Sequence, residues 1–181
     1  TSSDAGVSYQ SAGSSGEWTA INGNLGYHVY LDCGDNCDDE GCTNDAGDVN
    51  EDGMVNILDI VQVANAVLGG SLSDCGMEAA DINGDGSLNI LDIVAVVNII
   101  LGGRTDDATR AELSRTPNQL LLSADGFIGG VQMTLKHGSN FSIDITSDAM
   151  VADYRTIGNE TKLVIVVPES DELFTFTGDF E

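Results

Sequence analysis

The period of the hydrophobic positions changes twice along the chain, and the changes mark out its elements. Residues 1–17 are rich in Ser and Gly with no apolar period, and read as a flexible tail. Trp18–Ile21 and Tyr27–Leu31 follow as two strand-like runs around Asn22-Gly23, a dipeptide suited to a tight hairpin turn. Residues 32–47 are acidic and aperiodic. Two apolar stretches then predict helices, Ile57–Leu68 and Ile90–Leu101, each stopped by a pair of glycines. Both are apolar on nearly every side, interrupted by Asp59, Gln62 and Asn65 in one and by Asp92 and Asn98 in the other. A helix with so narrow a polar face is buried on most sides. Packed only on each other, the two would leave a large apolar patch in water, so a third surface must cover them.

Residues 104–117 read as a polar connector holding one helical turn and closed by Pro117. Beyond it the period becomes two, and Gln119–Ala124, Phe127–Lys136, Phe141–Ile145, Met150–Tyr154, Thr161–Val167 and Leu173–Thr177 are predicted strands. The unbroken apolar run Leu163–Val167 suits a central strand buried on both faces. The expected fold is α+β: a helical pair packed with a small antiparallel β-sandwich, the nearest candidate for the covering surface. The expected parts are a tail, hairpin and acidic loop (1–46), the helical module (47–103), a linker (104–117) and the sandwich (118–181). Six short strands leave a sheet edge over, and the final strand still alternates where the sequence stops. Addition of an extended N-terminal segment to such an edge, from the same chain or head to tail from a neighbour, would satisfy both backbones, and the neighbour is the expectation.

Charge narrows the functional classes. Thirty Asp and Glu against six Lys and Arg give −24, which repels nucleic acid and anionic lipid surfaces. All six basic residues lie at or beyond Arg104, so residues 1–103 carry 17 acids and no basic side chain, and bound divalent cations are the obvious counter-charge. No apolar run reaches the roughly 18 residues of a membrane span. The chain opens at Thr1 without a Met or a basic leader, as a processed or excised polypeptide does, and its four cysteines fit an oxidising compartment, so an extracellular setting is expected.

The cations have a site. Asp48–Asp59 and Asp81–Asp92 repeat at an offset of 33 residues. Calcium takes six to eight oxygens, and a twelve-residue loop supplies them from positions 1, 3, 5, 7, 9 and 12 around a glycine at 6. The first copy offers Asp48, Asn50, Asp52, the Met54 carbonyl, Asn56 and Asp59 around Gly53. The second offers Asp81, Asn83, Asp85, Ser87, Asn89 and Asp92 around Gly86, so two Ca²⁺ per chain are expected. Val55 and Leu88 at position 8 predict backbone pairing between the loops. An EF-hand would close on Glu, whereas both copies close on Asp. Asp39–Gly47 and Ser71–Ala80 show no helical period, so each loop is expected to have only an exiting helix.

A tandem of calcium loop plus exiting helix over residues 47–103 resembles the dockerin family, calcium-dependent modules that dock onto cohesin β-sandwiches in extracellular assemblies. Ile57-Leu58 and Ile90-Leu91 stand where dockerins typically carry small polar residues. Within residues 118–181, Gly129-Gly130-Val131-Gln132-Met133-Thr134-Leu135 resembles one strand of a cohesin-like sandwich.

Cys33, Cys37, Cys42 and Cys75 allow three pairings, of which Cys42 with Cys75 would tie the acidic loop to the repeat and leave Cys33 with Cys37. Zinc is the rival, disfavoured by the missing Cys-x-x-Cys knuckle and the acidic neighbours. Asp32, Asp35, Asp38 and Asp39 lack the glycine spacing of a third calcium loop. His28 and His137 stand apart from any nucleophile, so no enzymatic role is expected. Asn140-Phe-Ser142 and Asn159-Glu-Thr161 are glycosylation sequons. Taken together, these residues predict a secreted, calcium-stabilised structural protein, a self-assembling surface or filament subunit. The alternatives are an adaptor tethering a secreted polypeptide to a cohesin scaffold, or the non-catalytic end of a secreted polysaccharide-degrading enzyme.

Overall fold

A computed structural model of the protein describes residues 7–11, 18–22, 42–103 and 106–181. The chain forms two compact units, Thr1–Gly41 and Cys42–Glu181. In the first, β1 (Val7–Ser11) pairs antiparallel with β2 (Trp18–Asn22), with Val7 opposite Asn22 and Ser11 opposite Trp18. The Trp18 run is therefore a strand, but its partner is a segment expected to be a tail. Val7-Ser-Tyr-Gln-Ser11 alternates over five residues, too few to stand out from its Ser- and Gly-rich flanks. The expected partner Tyr27–Leu31, together with His28, Cys33, Cys37 and Asp32, Asp35, Asp38 and Asp39, lies outside the described residues.

The second unit holds three helices, α1 (Ile57–Val67), α2 (Asp74–Ala80) and α3 (Ile90–Leu101), followed by seven strands: β3 (Ala111–Arg115), β4 (Gln119–Ala124), β5 (Gly130–Lys136), β6 (Ser142–Ile145), β7 (Ala149–Ile157), β8 (Glu160–Pro168) and β9 (Glu172–Thr177). The strands form two antiparallel sheets, ordered β3-β4-β9-β6 and β5-β8-β7. The fold is α+β, as the change of period predicts.

Two elements depart from expectation. The 104–117 stretch holds no helical turn among its described residues and instead supplies β3, an edge strand paired with β4. All five β3 residues are exposed, and Ala111 and Leu113 are its only apolar positions, too few to mark a strand in the sequence. The second departure is α2, an entering helix ahead of the second loop. Ser73 caps it by accepting from the Gly76 N–H at 2.9 Å, and Gly76, Ala79 and Ala80 are its buried face. Seven residues with a central glycine are too short to show a period.

Central strand β8 organises the packing. Leu163 and Ile165 point between the sheets, where they join Leu120, Leu135, Leu173, Phe174 and Phe176 in one core. Val164 and Val166 point the other way, into a second core with Ile60, Val63 and Ala64 of α1 and Ile93, Val96 and Val97 of α3. The unbroken apolar run is thus buried on both faces, and the three-stranded sheet is the surface that covers the helices. At about 25 cal/mol per Å² of apolar area, each fully buried aliphatic side chain on this strand contributes about 1.5–3 kcal/mol, so helices and sandwich stabilise each other.

Candidate metal centre and its two faces

Each loop is ordered by its own oxygens. In the first, Asp48 accepts from Asp52 N–H at 3.1 Å through Oδ1 and from Gly53 N–H at 2.9 Å through Oδ2. Asn50 Oδ1 accepts from that same Asp52 N–H at 2.9 Å, which sets the Asp48 and Asn50 oxygens side by side. Asp52 Oδ1 accepts from Met54 N–H at 2.9 Å. Asp59, fully buried at the third helical position of α1, accepts from Val49, Asn50 and Asn56 N–H at 2.9, 3.1 and 2.8 Å. The second loop repeats the scheme with Asp81 on Asp85 and Gly86 (3.1 and 2.8 Å), Asn83 on Asp85 (2.8 Å), Asp85 on Ser87 (2.8 Å) and Asp92 on Asn89 (3.0 Å). Position 6 requires a left-handed backbone, φ +84° at Gly53 and +79° at Gly86, which only glycine adopts without cost.

Asn56 and Asn89 are helix caps in this structure. Their Oδ1 atoms accept from Leu58 and Leu91 N–H at 2.8 and 2.9 Å, and Asp59 and Asp92 reach back to complete capping boxes. Their Nδ2 groups donate to the position 7 carbonyls, Met54 at 3.3 Å and Ser87 at 2.9 Å. Among the described residues no three His, Cys, Asp or Glu side chains stand together at metal-holding distances. The donor set still suits calcium. It offers only oxygen: the Asp48, Asp81 and Asp85 oxygens each hold a single backbone N–H and keep a second lone pair, and on Asp59, whose Oδ1 holds two N–H groups, Oδ2 keeps one. The buried carboxylates of Asp48, Asp59 and Asp92, which no ion pair among the described residues neutralises, call for a counter-charge.

The repeats are joined ahead of the loops. Cys42 and Cys75 form a disulfide across a separation of 33 residues, equal to the repeat offset, because each cysteine stands six positions before its loop (48 − 42 and 81 − 75). Gly47 N–H donates to Ala79 O at 2.8 Å. Val55 and Leu88 pack into the helical core, but among the described residues no β-bridge joins the loops, so the expected backbone pairing is replaced by these two links.

The surroundings of the two repeats differ. On repeat 2, Ile90 and Val94 lie against the entry of β5. A Cβ added to Gly130 would meet Ile90 Cδ1 at 2.4 Å, and one added to Gly129 would meet Val94 Cγ1 at 2.9 Å. Gln132 Oε1 accepts from the Ile90 N–H at 2.9 Å. On repeat 1 the equivalent Ile57 and Val61 are 46% and 47% exposed, flanked by Leu58 at 56% and Met54 at 64%. The repeat is visible in the sequence. Which copy is covered is not, since Ile-Leu-Asp-Ile-Val occurs in both.

His137 has a structural place. Its Nε2 shares a 2.8 Å hydrogen bond with the buried Thr161 hydroxyl, and its ring stacks on Phe141 at 4.3 Å. Asn140 and Asn159 of the sequons are both exposed.

Residues 46–101 match the Dockerin type I domain. No curated protein and no solved structure matches the chain significantly. The segment is a dockerin-family segment; dockerin domains bind calcium and cohesins, and proteins that carry them are typically secreted. No helix among the described residues is long and apolar enough to cross a membrane.

Proposed function

We propose that the chain is a non-catalytic, calcium-loaded docking module of a secreted protein, tethering its polypeptide to a cohesin-bearing scaffold. The dockerin segment at residues 46–101 carries this reading. Two Ca²⁺ ions are held, one by Asp48, Asn50, Asp52, the Met54 carbonyl and Asp59, the other by Asp81, Asn83, Asp85, the residue 87 position and Asp92, with Asn56 and Asn89 acting through their caps. The ions neutralise the buried carboxylates and fix the start of α1 and α3, so the apolar helices stay folded on the sandwich. The Cys42–Cys75 disulfide suits an oxidising compartment.

Assembly into a filament draws no support from the described residues. The N-terminal segment expected to add to a neighbour's sheet holds β1, which is paired with β2 of its own chain. The testing experiment is binding of the full chain to purified cohesin domains with calcium and with chelator. Calcium-dependent binding is expected. Failure of every cohesin domain of the source organism to bind, with calcium at saturation, overturns the reading.

A further inference from the structure

The few cations of this acidic chain are gathered on one sheet face. Directly opposed residues of an antiparallel pair share a face, so the register of the three-stranded sheet sets Arg155 beside Lys162 in one row and Ile157, Glu160 and Lys136 side by side in the next. Half of the six basic residues therefore stand together, and all three are exposed. Alternation along β8 puts them on the face of Val164 and Val166, which the helices cover, but past the C-terminal end of α1. The ion pair among the described residues is Arg115 with Asp179, so no carboxylate there neutralises Lys136, Arg155 or Lys162. Between this part of the sheet and the end of α1 lies a groove of about 370 Å³, open to solvent and lined by Leu68, Gly69, Arg155, Ile157, Glu160 and Lys162. Its size falls within the roughly 300–1,000 Å³ of small-ligand sites, and its lining mixes apolar surface with a few converging polar groups, as theirs does.

We propose that this groove binds an acidic sugar, a uronic-acid unit of a glycan. Each wall has a counterpart on such a ligand. The guanidinium of Arg155 and the ammonium of Lys162 receive the sugar carboxylate. Arg155 is already placed for this, because its Nη1 donates to the Gly69 carbonyl at 2.9 Å and its remaining N–H donors are left for the ligand. Glu160 makes no side-chain hydrogen bond among the described residues, and its carboxylate accepts from ring hydroxyls. Ile157, 70% exposed, offers apolar surface to the C–H face of the ring. Glu160 also decides between kinds of anion. It repels the successive carboxylates of an acidic peptide, whereas a sugar brings hydroxyl donors beside its single charge. No group of either calcium loop takes part, so the site is independent of the cohesin reading.

The test is calorimetric titration of the full chain, with calcium at saturation, by a trimer of galacturonic acid, an uncharged galactose trimer and hexa-aspartate. The acidic trimer is expected to bind, and the other two at least about tenfold more weakly. Lys162→Ala is expected to weaken the acidic trimer at least about tenfold, and Arg110→Ala, which removes an exposed cation just ahead of β3 on the other sheet, less than about twofold. Glu160→Ala carries the sharpest readout: it removes a negative charge yet should weaken the acidic trimer about threefold, because a hydroxyl acceptor goes with it. Unchanged melting of the three variants verifies their folding. Absence of binding by the acidic trimer overturns the proposal, as does equal binding of the galactose trimer. Hexa-aspartate that binds as tightly, or a Glu160→Ala variant that binds the acidic trimer more tightly, makes the groove a site for anions at large and overturns the sugar assignment. Equal losses in Lys162→Ala and Arg110→Ala reduce the effect to net charge and overturn the site.

Discussion

Repeat 1 and repeat 2 share their loop chemistry, their caps and the first residues of their helices, yet one faces solvent where the other faces a strand. Asp59 and Asp92 are both fully buried, both at the third position of a helix, and both hold loop N–H groups. Twelve residues suffice to specify that much, because every partner is local. The outer face of the same helix is not specified locally. Ile90 is covered because Gly130 at the start of β5 admits it, and Ile57 is open because no described strand reaches it. Sequence identity within a repeat specifies the loop and its caps and leaves the outer face to the rest of the chain.

The broadest way to break this comparison is to remove what the repeats have in common. At a calcium concentration a thousandfold above its dissociation constant, one site stabilises by about 4 kcal/mol, so two sites reach the whole stability typical of a domain. Chelation is expected to abolish the cooperative melt of the helical pair, followed by circular dichroism, and metal analysis should return two calcium ions per chain. Asp48→Ala and Asp81→Ala should each lose one ion. The Asp81 variant should melt lower, since its loop positions α3, which packs against both β5 and β8. Equal melting of the two would mean that the sandwich gives repeat 2 no extra importance.

The disulfide is next in size, and it joins symmetry-equivalent points. Replacing Cys42 and Cys75 together by Ser should cost about 2–4 kcal/mol, read from denaturant midpoints, with no change in calcium stoichiometry. Loss of an ion as well would show that the link shapes the loops and does not merely limit the unfolded chain.

The sharpest contrast lies on the outer faces. Ile90→Ala should cost about 1–2 kcal/mol and Ile57→Ala less than about 0.5 kcal/mol, because the first removes side-chain atoms packed on the helical core and the second removes half-exposed ones. Gly130→Val should cost about 1–3 kcal/mol by forcing Ile90 off β5. If Ile57→Ala and Ile90→Ala destabilise equally in thermal melts, the coverage of the two repeats is alike and the contrast fails.

Legibility in the sequence followed the range of the interactions. The two loops were readable because their hydrogen-bonding pattern is a property of twelve consecutive residues. So were the helix ends, marked by Leu-Gly-Gly, and the double burial of β8, whose Leu163–Val167 run has no polar side to offer. Three elements escaped because each is too short for its period to stand out: β1 is five residues among Ser and Gly, α2 is seven including Gly76, and β3 is five residues exposed on both faces. The Cys42–Cys75 bond is the one expected to tie the acidic loop to the repeat, and its spacing equals the repeat offset, a further signal for it in the sequence. The role of Gly129-Gly130 could not be read at all. A glycine pair at a strand entry states that something approaches closely without stating what.

The smallest expected effect sits at loop position 4, where the repeats differ in residue and agree in backbone. Glu51 has φ +61° and its counterpart Gly84 has φ +69°, so both lie in the left-handed region. For a residue with a Cβ that region costs roughly 1–2 kcal/mol, and for glycine nothing. Repeat 1 tolerates the cost because the Glu51 carboxylate accepts from the Ser73 hydroxyl, and Ser73 Oγ in turn accepts from Gly76 N–H as the cap of α2. A hydrogen bond to a charged acceptor is worth about 1.5–3 kcal/mol when buried, and less at this exposed position, so strain and contact nearly cancel. Glu51→Gly should therefore shift stability by less than about 0.5 kcal/mol, while Gly84→Ala, which adds the strain without a compensating contact, should cost about 1 kcal/mol. Denaturant midpoints of the two variants separate the cases. A Glu51→Gly variant stabilised by a full 1 kcal/mol would mean that the Ser73 contact contributes nothing, and that the two loops differ at this position by strain alone.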